Sequence, residues 1–463
     1  MKIKHLIVGI LAFLCLSEGY SQTGVPDLTW YGDGSASEFH ISTADQLAGL
    51  CELSNGFKLG SEPVQFVGKT IVLKNDIDLS CYGKGYNFMG GTGWYPIGDT
   101  NTSCFHGIFD GNGKTIRNLF IDRNDSKLEY LGLFGFVGSG GIVKNLTIEN
   151  VVISNSTTEH DFPDVGSVAG YFMGDDIIGC YVTGRIYSKY GEAGGIAGGC
   201  GGRINNCYFK GVVDGRSAGG ITGILQKGYI SNCLTDGEVY GSSSAAGIAG
   251  TVEGFGFAGE VSNCISLCKI GFYWIRYSHL WFAGIAGGGV VKNCIALNPS
   301  VVDEDGYEIG RVSNSSSSCR NLLAFEGMEC NAVTFDKHHM GKDGESRTAK
   351  QLQTIDGFLP QFASAPWTYE TGMLPGLFGK PIPMPEYLKD NSSVEEITAE
   401  QKVFVADGML YIEGLAAQEV VAVYDSMGRV VYSDLFDGTM QLPLANKGLY
   451  VVKFEDKCIK VLN

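Results

Sequence analysis

Gly195-Ile196-Ala197-Gly198, Gly220-Ile221-Thr222-Gly223, Gly247-Ile248-Ala249-Gly250 and Gly284-Ile285-Ala286-Gly287 are four copies of one phrase. An Asn-Cys pair begins 9 to 16 residues after each copy begins, at Asn206, Asn232, Asn263 and Asn293. Looser copies lie upstream: Gly132-Leu133-Phe134-Gly135 with Asn145-Leu146, and Ser167-Val168-Ala169-Gly170 with Gly179-Cys180. The six copies start at 132, 167, 195, 220, 247 and 284, so they recur in steps of 35, 28, 25, 27 and 37 residues. A repeat of that length is one supersecondary unit that buries its apolar face against its neighbours, the signature of a solenoid. Within the unit 220–246, runs at 220–225, 229–234 and 238–240 are rich in aliphatic and β-branched residues, separated by Gly, Ser and Asp. Each run is too short for a helix. Three short strands per turn, each paired with its equivalents above and below, predict a right-handed parallel β-helix with Ile and Cys stacked inward in columns. At ~4.8 Å per strand, six turns cover roughly 30 Å.

Composition fits this all-β solenoid. Glycine supplies 67 of 463 residues, and tight corners with positive φ favour it. A hydrophobic share of 44% is enough for a large core. The net charge of −16 opposes a nucleic-acid partner, whose phosphates require Lys and Arg. At the start of the chain, Lys2 and Lys4 precede an apolar run from Leu6 to Leu16, and Gly19-Tyr20-Ser21 supplies small residues for cleavage after Ser21. That is the pattern of a signal peptide spanning 1–21. An eleven-residue apolar run is too short to cross a bilayer. The expectation is a chain exported through a cleaved signal peptide, secreted or held at the outer cell surface, with no transmembrane segment in its mature form.

Thirteen of the 14 cysteines follow the leader. Cys180, Cys207, Cys233, Cys264 and Cys294 hold one position in successive turns, where neighbouring Cβ atoms are about a strand spacing apart, slightly beyond the ~3.5–4.5 Å that suits a disulfide. A file of buried thiols is expected. Cys264 and Cys268 form a lone C-x3-C without a second pair, so no zinc site is expected. The asparagine before each cysteine is expected at a corner, in the left-handed conformation, bonding its counterparts in adjacent turns. Thr43-Ala44-Asp45-Gln46-Leu47 opens a short helix through a capping box, and Thr348-Ala349-Lys350-Gln351-Leu352 repeats that opening. Both belong to the structures that close the solenoid's ends.

Between the first helix and the repeats stand Trp94-Tyr95-Pro96-Ile97-Gly98 and Phe105-His106-Gly107-Ile108-Phe109-Asp110-Gly111-Asn112-Gly113-Lys114-Thr115-Ile116-Arg117-Asn118-Leu119. This order, then Gly-Leu-Phe-Gly, the repeat units and a closing Trp367…Gly372-Met373-Leu374-Pro375, resembles bacterial surface proteins carrying the GLUG motif, over residues 40–379. The resemblance implies a secreted or surface-displayed β-helix associated with adhesion, in some relatives appended to peptidases that attack immunoglobulins. After the linker, Val423-Tyr424-Asp425-Ser426-Met427-Gly428-Arg429-Val430-Val431-Tyr432 and Leu442 to Lys453 resemble the C-terminal sorting domain of the type nine secretion route. That resemblance implies delivery to the outer surface.

The resulting organisation is a signal peptide (1–21), an N-terminal cap with the first β-helix turns (22–130), repeats (131–330), a C-terminal cap (331–379), a Pro-rich then acidic linker (380–400) and a small antiparallel β-sandwich (401–463). The sandwich strands are read at 403–405, 409–413, 419–424, 429–432 and 450–454, with Asp-Gly turns at 407–408 and 437–438.

Catalytic patterns lack their contexts. Gly215-Arg216-Ser217-Ala218-Gly219 matches a nucleophile elbow without the strand-to-helix turn. Gly254-Phe255-Gly256-Phe257-Ala258-Gly259 matches a dinucleotide fingerprint with no helix after it. Asp99 to Asp110 approximates a calcium loop, but Cys104 stands where a glycine belongs. Counted from their cysteines, Asp214 and Asp236 fall out of line, and no carboxylate column emerges. No catalytic residue, metal or cofactor is expected. The long insertion 272–282 carries Tyr273, Trp274, Tyr277 and Trp281, candidate ligand-binding aromatics on a rigid scaffold. The functional expectation is a non-enzymatic binder of glycan or of host or other extracellular protein. The alternatives are a polysaccharide-active hydrolase or lyase, and a structural surface spacer.

Overall fold

A computed structural model describes the chain from residue 23 onward, apart from 58–61, 86–90, 124–127, 157–161, 254–258, 273–280, 303–308, 316–317, 333–334, 390–401, 407, 414–419, 436–438 and 455–456. The chain forms two compact units, Met1–Lys389 and Asp390–Asn463. Among the described residues no helix is long and apolar enough to cross a membrane.

The first unit is a parallel β-solenoid with three faces. Ten strands build the first face, from Glu38–Ile41 to Cys319–Arg320. Their central side chains form one inward column: Phe39, Ile71, Phe109, Val143, Ile177, Ile204, Ile230, Val261, Val291 and Cys319. All ten are buried. Nine steps of ~4.8 Å carry this face over roughly 43 Å. The six copies of the phrase account for only part of that length. The rungs at Glu38–Ile41, Thr70–Leu73 and Ile108–Asp110 lack the phrase.

The phrase follows from how closely the rungs approach. A Cβ on its first residue would overlap the carbonyl oxygen of the next rung: Gly195 against Gly220, Gly220 against Gly247, Gly247 against Gly284 and Gly284 against Arg311. The isoleucine after it is fully buried in each copy. Its amide donates to the carbonyl one rung on, from Ile196 to Ile221, Ile221 to Ile248 and Ile248 to Ile285 at 3.0, 2.9 and 2.8 Å. The residue after the isoleucine starts a strand of the third face, as in Ala197–Cys200, Thr222–Gln226 and Ala249–Glu253.

The Asn-Cys pair turns the chain from the first face to the second. Asn145, Asn206, Asn232, Asn263, Asn293 and Asn321 all have φ between 51° and 53°, and Gly179 takes the same place at 67°. Asparagine tolerates that conformation because its short amide can bond locally. Asn293 Nδ2 donates to Asn263 Oδ1 at 3.2 Å and Asn321 Nδ2 to Asn293 Oδ1 at 3.0 Å, so part of the expected amide ladder exists. Asn232 bonds instead to Asn205 Oδ1, at 2.9 Å, and Asn145 to Asp110. One residue on, Cys180, Cys207, Cys233, Cys264 and Cys294 are buried in a single file as free thiols. The strands that follow them are in register, Tyr181 with Tyr208, Tyr208 with Leu234, Leu234 with Ile265 and Ile265 with Ile295. Leu146 and Leu322 occupy the same position before and after the file and are also buried.

The second face departs from the sequence reading. The short run expected at 238–240 is the middle of a 13-residue strand, Leu234–Ala246, and Tyr181–Gly194 and Tyr208–Gly219 are comparably long. Gly184, Gly211 and Gly237 are paired in register within these strands, and a Cβ on each would meet the backbone of the preceding rung. Glycine there lets the ribbon continue where side chains would interrupt it.

The two capping boxes fare differently. Thr43 Oγ1 accepts from Gln46 N at 3.2 Å, Gln46 Oε1 accepts from Ser42 N at 2.7 Å, and the helix Ala44–Asn55 follows. Thr348 and Gln351 also bond reciprocally, at 2.9 and 3.1 Å, yet short 3-10 turns, Gln351–Gln353, Ile355–Gly357 and Pro360–Ala363, follow in place of a helix. Gly357 and Pro360 interrupt any longer helix. The residues after it return along the second face. Gln361 Nε2 donates to Asn293 O at 3.2 Å, Tyr387 OH donates to Leu297 O at 2.8 Å, and the Phe378 ring meets Tyr181.

The second unit has two antiparallel sheets. One holds Lys402–Ala406, Met409–Glu413 and Thr439–Pro443, the other Val430–Leu435, Val420–Asp425, Leu449–Phe454 and Lys457–Leu462. Leu410, Ile412, Val421, Val423, Val452 and Phe454 are its buried centre. Thr439–Pro443 and Lys457–Leu462 add two strands to the five expected.

Candidate functional site

Alignment on the repeat phrase reveals a second grammar, on the outside. Three residues before the phrase begins stand Asp164, Glu192, Ser217, Ser244 and Trp281. Each lies beside the next on parallel strands at the end of the second face. Val165 pairs with Ala193, which sets Asp164 beside Glu192, and Glu192, Ser217, Ser244 and Trp281 then pair in turn. Four residues after the phrase begins, the third face presents Tyr171, Gly199, Ile224 and Thr251, also in register. Two residues further on are Met173, Gly201, Gln226 and Glu253.

The two columns meet across the corner between the faces. Ser217 Oγ bonds Ser244 Oγ and Thr251 Oγ1 at 2.5 Å each, and Ser244 Oγ bonds Thr251 Oγ1 at 2.7 Å. Glycine on the middle rung leaves a gap that Tyr171 fills. Its OH donates to Gln226 Oε1 at 2.5 Å across two rungs, and its ring lies over Gly199, where a Cβ would meet both that ring and the Asp164 carboxylate at 3.2 Å. Tyr171, Met173, Gln226, Lys227, Val252, Glu253 and Trp281 line a cleft of about 730 Å³. Trp281 is 36% exposed on its wall, whereas the next residue, Phe282, points into the core. Tyr273, Trp274 and Tyr277 lie outside the described residues.

Asp164 and Glu192 form an acidic pair that counting from the cysteines did not find. Glu192 is only 7% exposed. Arg216 Nη2 pairs with its Oε1, and its Oε2 is buried without a hydrogen-bond partner among the described residues. Burial raises its pKa to about 7 despite the opposing Arg216 charge. Burial, then the Glu192 charge, raises Asp164 well above the ordinary carboxylate range. Folded Glu192 therefore holds its proton to about pH 7, whereas the unfolded side chain releases it near 4.5. Between those values the folded state binds more protons, so stability falls as pH rises, by about 3 kcal/mol for this group. Glu192→Gln should remove that slope. The loss of urea stability from pH 5 to pH 8 is expected to shrink by about that amount relative to wild type, and an unchanged loss would contradict the assignment.

The other sequence candidates are distributed elsewhere. Ser217, centre of the elbow-like pattern, is buried in the hydroxyl trio. Asp99 accepts from Ser103 and Tyr95, while Asp110 accepts from Asn112 N and Asn145 and pairs with Lys144. The calcium-like loop thus directs its two terminal carboxylates to different partners. Asp214 sits beside Tyr240, and Asp236 pairs with Lys210 at 2.8 Å, out of line with each other as expected. Of the dinucleotide-like run 254–259, residues 254–258 lie outside the described residues.

No family model matches this chain. A protein of Evansella cellulosilytica provisionally named a Gly-rich membrane protein is 34% identical over 151 residues, covering 32% of this chain and 16% of its own length. The halomucin of Haloquadratum walsbyi is 32% identical over 181 residues, covering 39% of this chain and 2% of its own. The chain thus spans under a fifth of either relative. A crystal structure from Bacteroides ovatus, provisionally named an immunoglobulin A1 protease, is similar at a TM-score of 0.43 and 20% identity, covering 74% of this chain and 91% of its own.

Proposed function

We propose that this chain is an exported, surface-associated β-solenoid of the GLUG type that binds glycan along the furrow between its second and third faces. The observation that carries the reading is the cleft between Tyr171 and Trp281. Aromatic faces pack on the apolar faces of sugar rings. Gln226, Lys227 and Glu253 beside them supply donors and acceptors for sugar hydroxyls. In-register rungs offer these groups in a line, which suits an extended oligosaccharide better than a compact ligand. The leader-like residues 1–21 and the sorting-domain resemblance of the second unit support an outer-surface location, and the membrane name of the Evansella relative fits it.

The test is a glycan-array and host-matrix screen of the chain from residue 22, beside Trp281→Ala. Retention of a defined oligosaccharide is expected, with the variant roughly tenfold weaker, the loss of about 1.4 kcal/mol of stacking. Equal binding by the variant, or retention of matrix protein alone, would overturn the reading.

A further inference from the structure

We propose that the groove between the second face and the hairpin 373–383 is a second saccharide site, one that takes an anionic sugar. It goes beyond the furrow reading and stands without it. The groove lies where the second-face strands begin, at Tyr181 and Tyr208, and the furrow where they end.

The rungs build its floor. Thr147, Tyr181 and Tyr208 pair in turn on neighbouring strands and follow the inward Leu146, Cys180 and Cys207, so alternation along each strand turns them outward. The two tyrosine rings are 5.2 Å apart, inclined at 49°. Beside them Gly179 occupies a corner where the six other rungs carry asparagine. Gly179 lines the groove, and its missing side chain leaves room there. The opposite wall is the hairpin, in which Met373–Leu374 pairs with Ile382–Pro383 and the buried Leu374 and Leu377 join the solenoid core. Its tip carries Phe378 at φ 57°, a conformation that bulky residues rarely adopt. Phe66 has nearly the same φ, 56°, but is buried in the core, whereas Phe378 is 41% exposed with its ring 6.5 Å from that of Tyr181. A ligand against that ring accounts for such a turn.

Size and charge identify the occupant. The groove encloses about 560 Å³, within the range of small-ligand sites. Tyr181, Tyr208 and Phe378 offer ring faces to the apolar side of a sugar. Lys210 and Lys380 are the charged residues of the lining, which holds no carboxylate although the chain carries a net charge of −16. Lys380 has no ion pair among the described residues. Lys210 Nζ pairs with Asp236 at 2.8 Å, which leaves donors on the ammonium for a ligand. Burial raises the Tyr181 pKa, so its hydroxyl stays a donor as well. These groups together favour a negatively charged saccharide. A lysine ammonium acts as a point charge, so carboxylated and sulfated sugars share the chemistry.

The test uses the chain from residue 22 and its Trp281→Ala, Phe378→Ala and Lys380→Gln variants, all substituted at exposed side chains. The probes are an array of oligouronates, sialosides and sulfated oligosaccharides, each beside its carboxyl-reduced or desulfated counterpart. Anionic members are expected to bind at least about fivefold more tightly than their neutral counterparts, with the carboxylate and sulfate arms identifying the source. Lys380→Gln should weaken that binding about fivefold and Phe378→Ala about tenfold, with wild-type far-UV circular dichroism in both. Trp281→Ala, which weakens the furrow's ligand, should leave it unchanged. Equal retention of charged and neutral counterparts would overturn the inference. Anionic binding that Trp281→Ala abolishes and the other two variants leave intact would also overturn it, and would leave the furrow reading standing. Anionic binding that requires Phe378 and Lys380 but not Trp281 would support the groove site whatever the furrow binds. No retention of any saccharide would sink both.

Discussion

Gly220→Val is expected to cost the solenoid on the order of 4 kcal/mol or more, the upper range for overpacking against backbone. A Cβ at Gly220 would overlap the Gly247 carbonyl oxygen and come within 2.7 Å of Thr235 Cγ2. Neither obstacle can swing away. The carbonyl belongs to the next rung, and Thr235 is fully buried. Relief requires the two rungs to separate, which lengthens the bonds from Gly220 N to Ala246 O and from Ile221 N to Ile248 O, now 3.2 and 2.9 Å. Gly195, Gly247 and Gly284 repeat the contact, so the same substitution there should cost a similar amount. Urea unfolding followed by far-UV circular dichroism measures it. A midpoint within error of wild type would mean that the rungs are farther apart than described.

Cys233→Asp tests the interior. Cys233 is fully buried in the thiol file and its Sγ donates to Ser231 O at 3.2 Å. Burial already raises the thiol well above its usual pKa. A carboxylate there would lack a cationic partner, and the expected loss is on the order of 5 kcal/mol near neutral pH. The sign with pH follows from the same desolvation. The buried carboxyl would have a raised pKa, so its penalty is small below about pH 4 and grows as pH rises through the raised value. Cys233→Ala, which removes one sulfur, should cost only about 1 kcal/mol. Equal stabilities of the two variants at pH 8 would contradict a dry column.

Two of the columns that point inward were legible in the sequence because each repeats one residue type over successive central rungs. Ile196, Ile221, Ile248 and Ile285 announce a core position, and the Asn-Cys pairs announce a corner with a positive φ and a buried thiol beside it. The length of the second-face strands was not legible. Their continuation depends on Gly184, Gly211 and Gly237, and a glycine in an extended run reads from sequence as a break. The second capping box forms with good geometry but opens only short 3-10 turns, since a cap satisfies amides and cannot carry a helix past Gly357 and Pro360.

The outward columns were hidden for a different reason. Their residue types vary from rung to rung, and loops between the phrase and the cysteine range widely, so counting from Cys207 and Cys233 compared Asp214 with Asp236 and missed Asp164 beside Glu192. Counting back from the phrase would have found them, because from the second copy onward the three residues before it belong to one strand. Trp281 was found as part of an aromatic run, and its strand position separates it from Phe282, which is core.

The account depends on rungs stacked in register, and the most direct measurement is the sulfur substructure of a crystal of the chain, located by native anomalous diffraction. Five peaks for Cys180, Cys207, Cys233, Cys264 and Cys294 are predicted in one file at intervals of ~4.8 Å. Sulfur positions dispersed through the molecule, or merged in pairs ~2.05 Å apart, would contradict it.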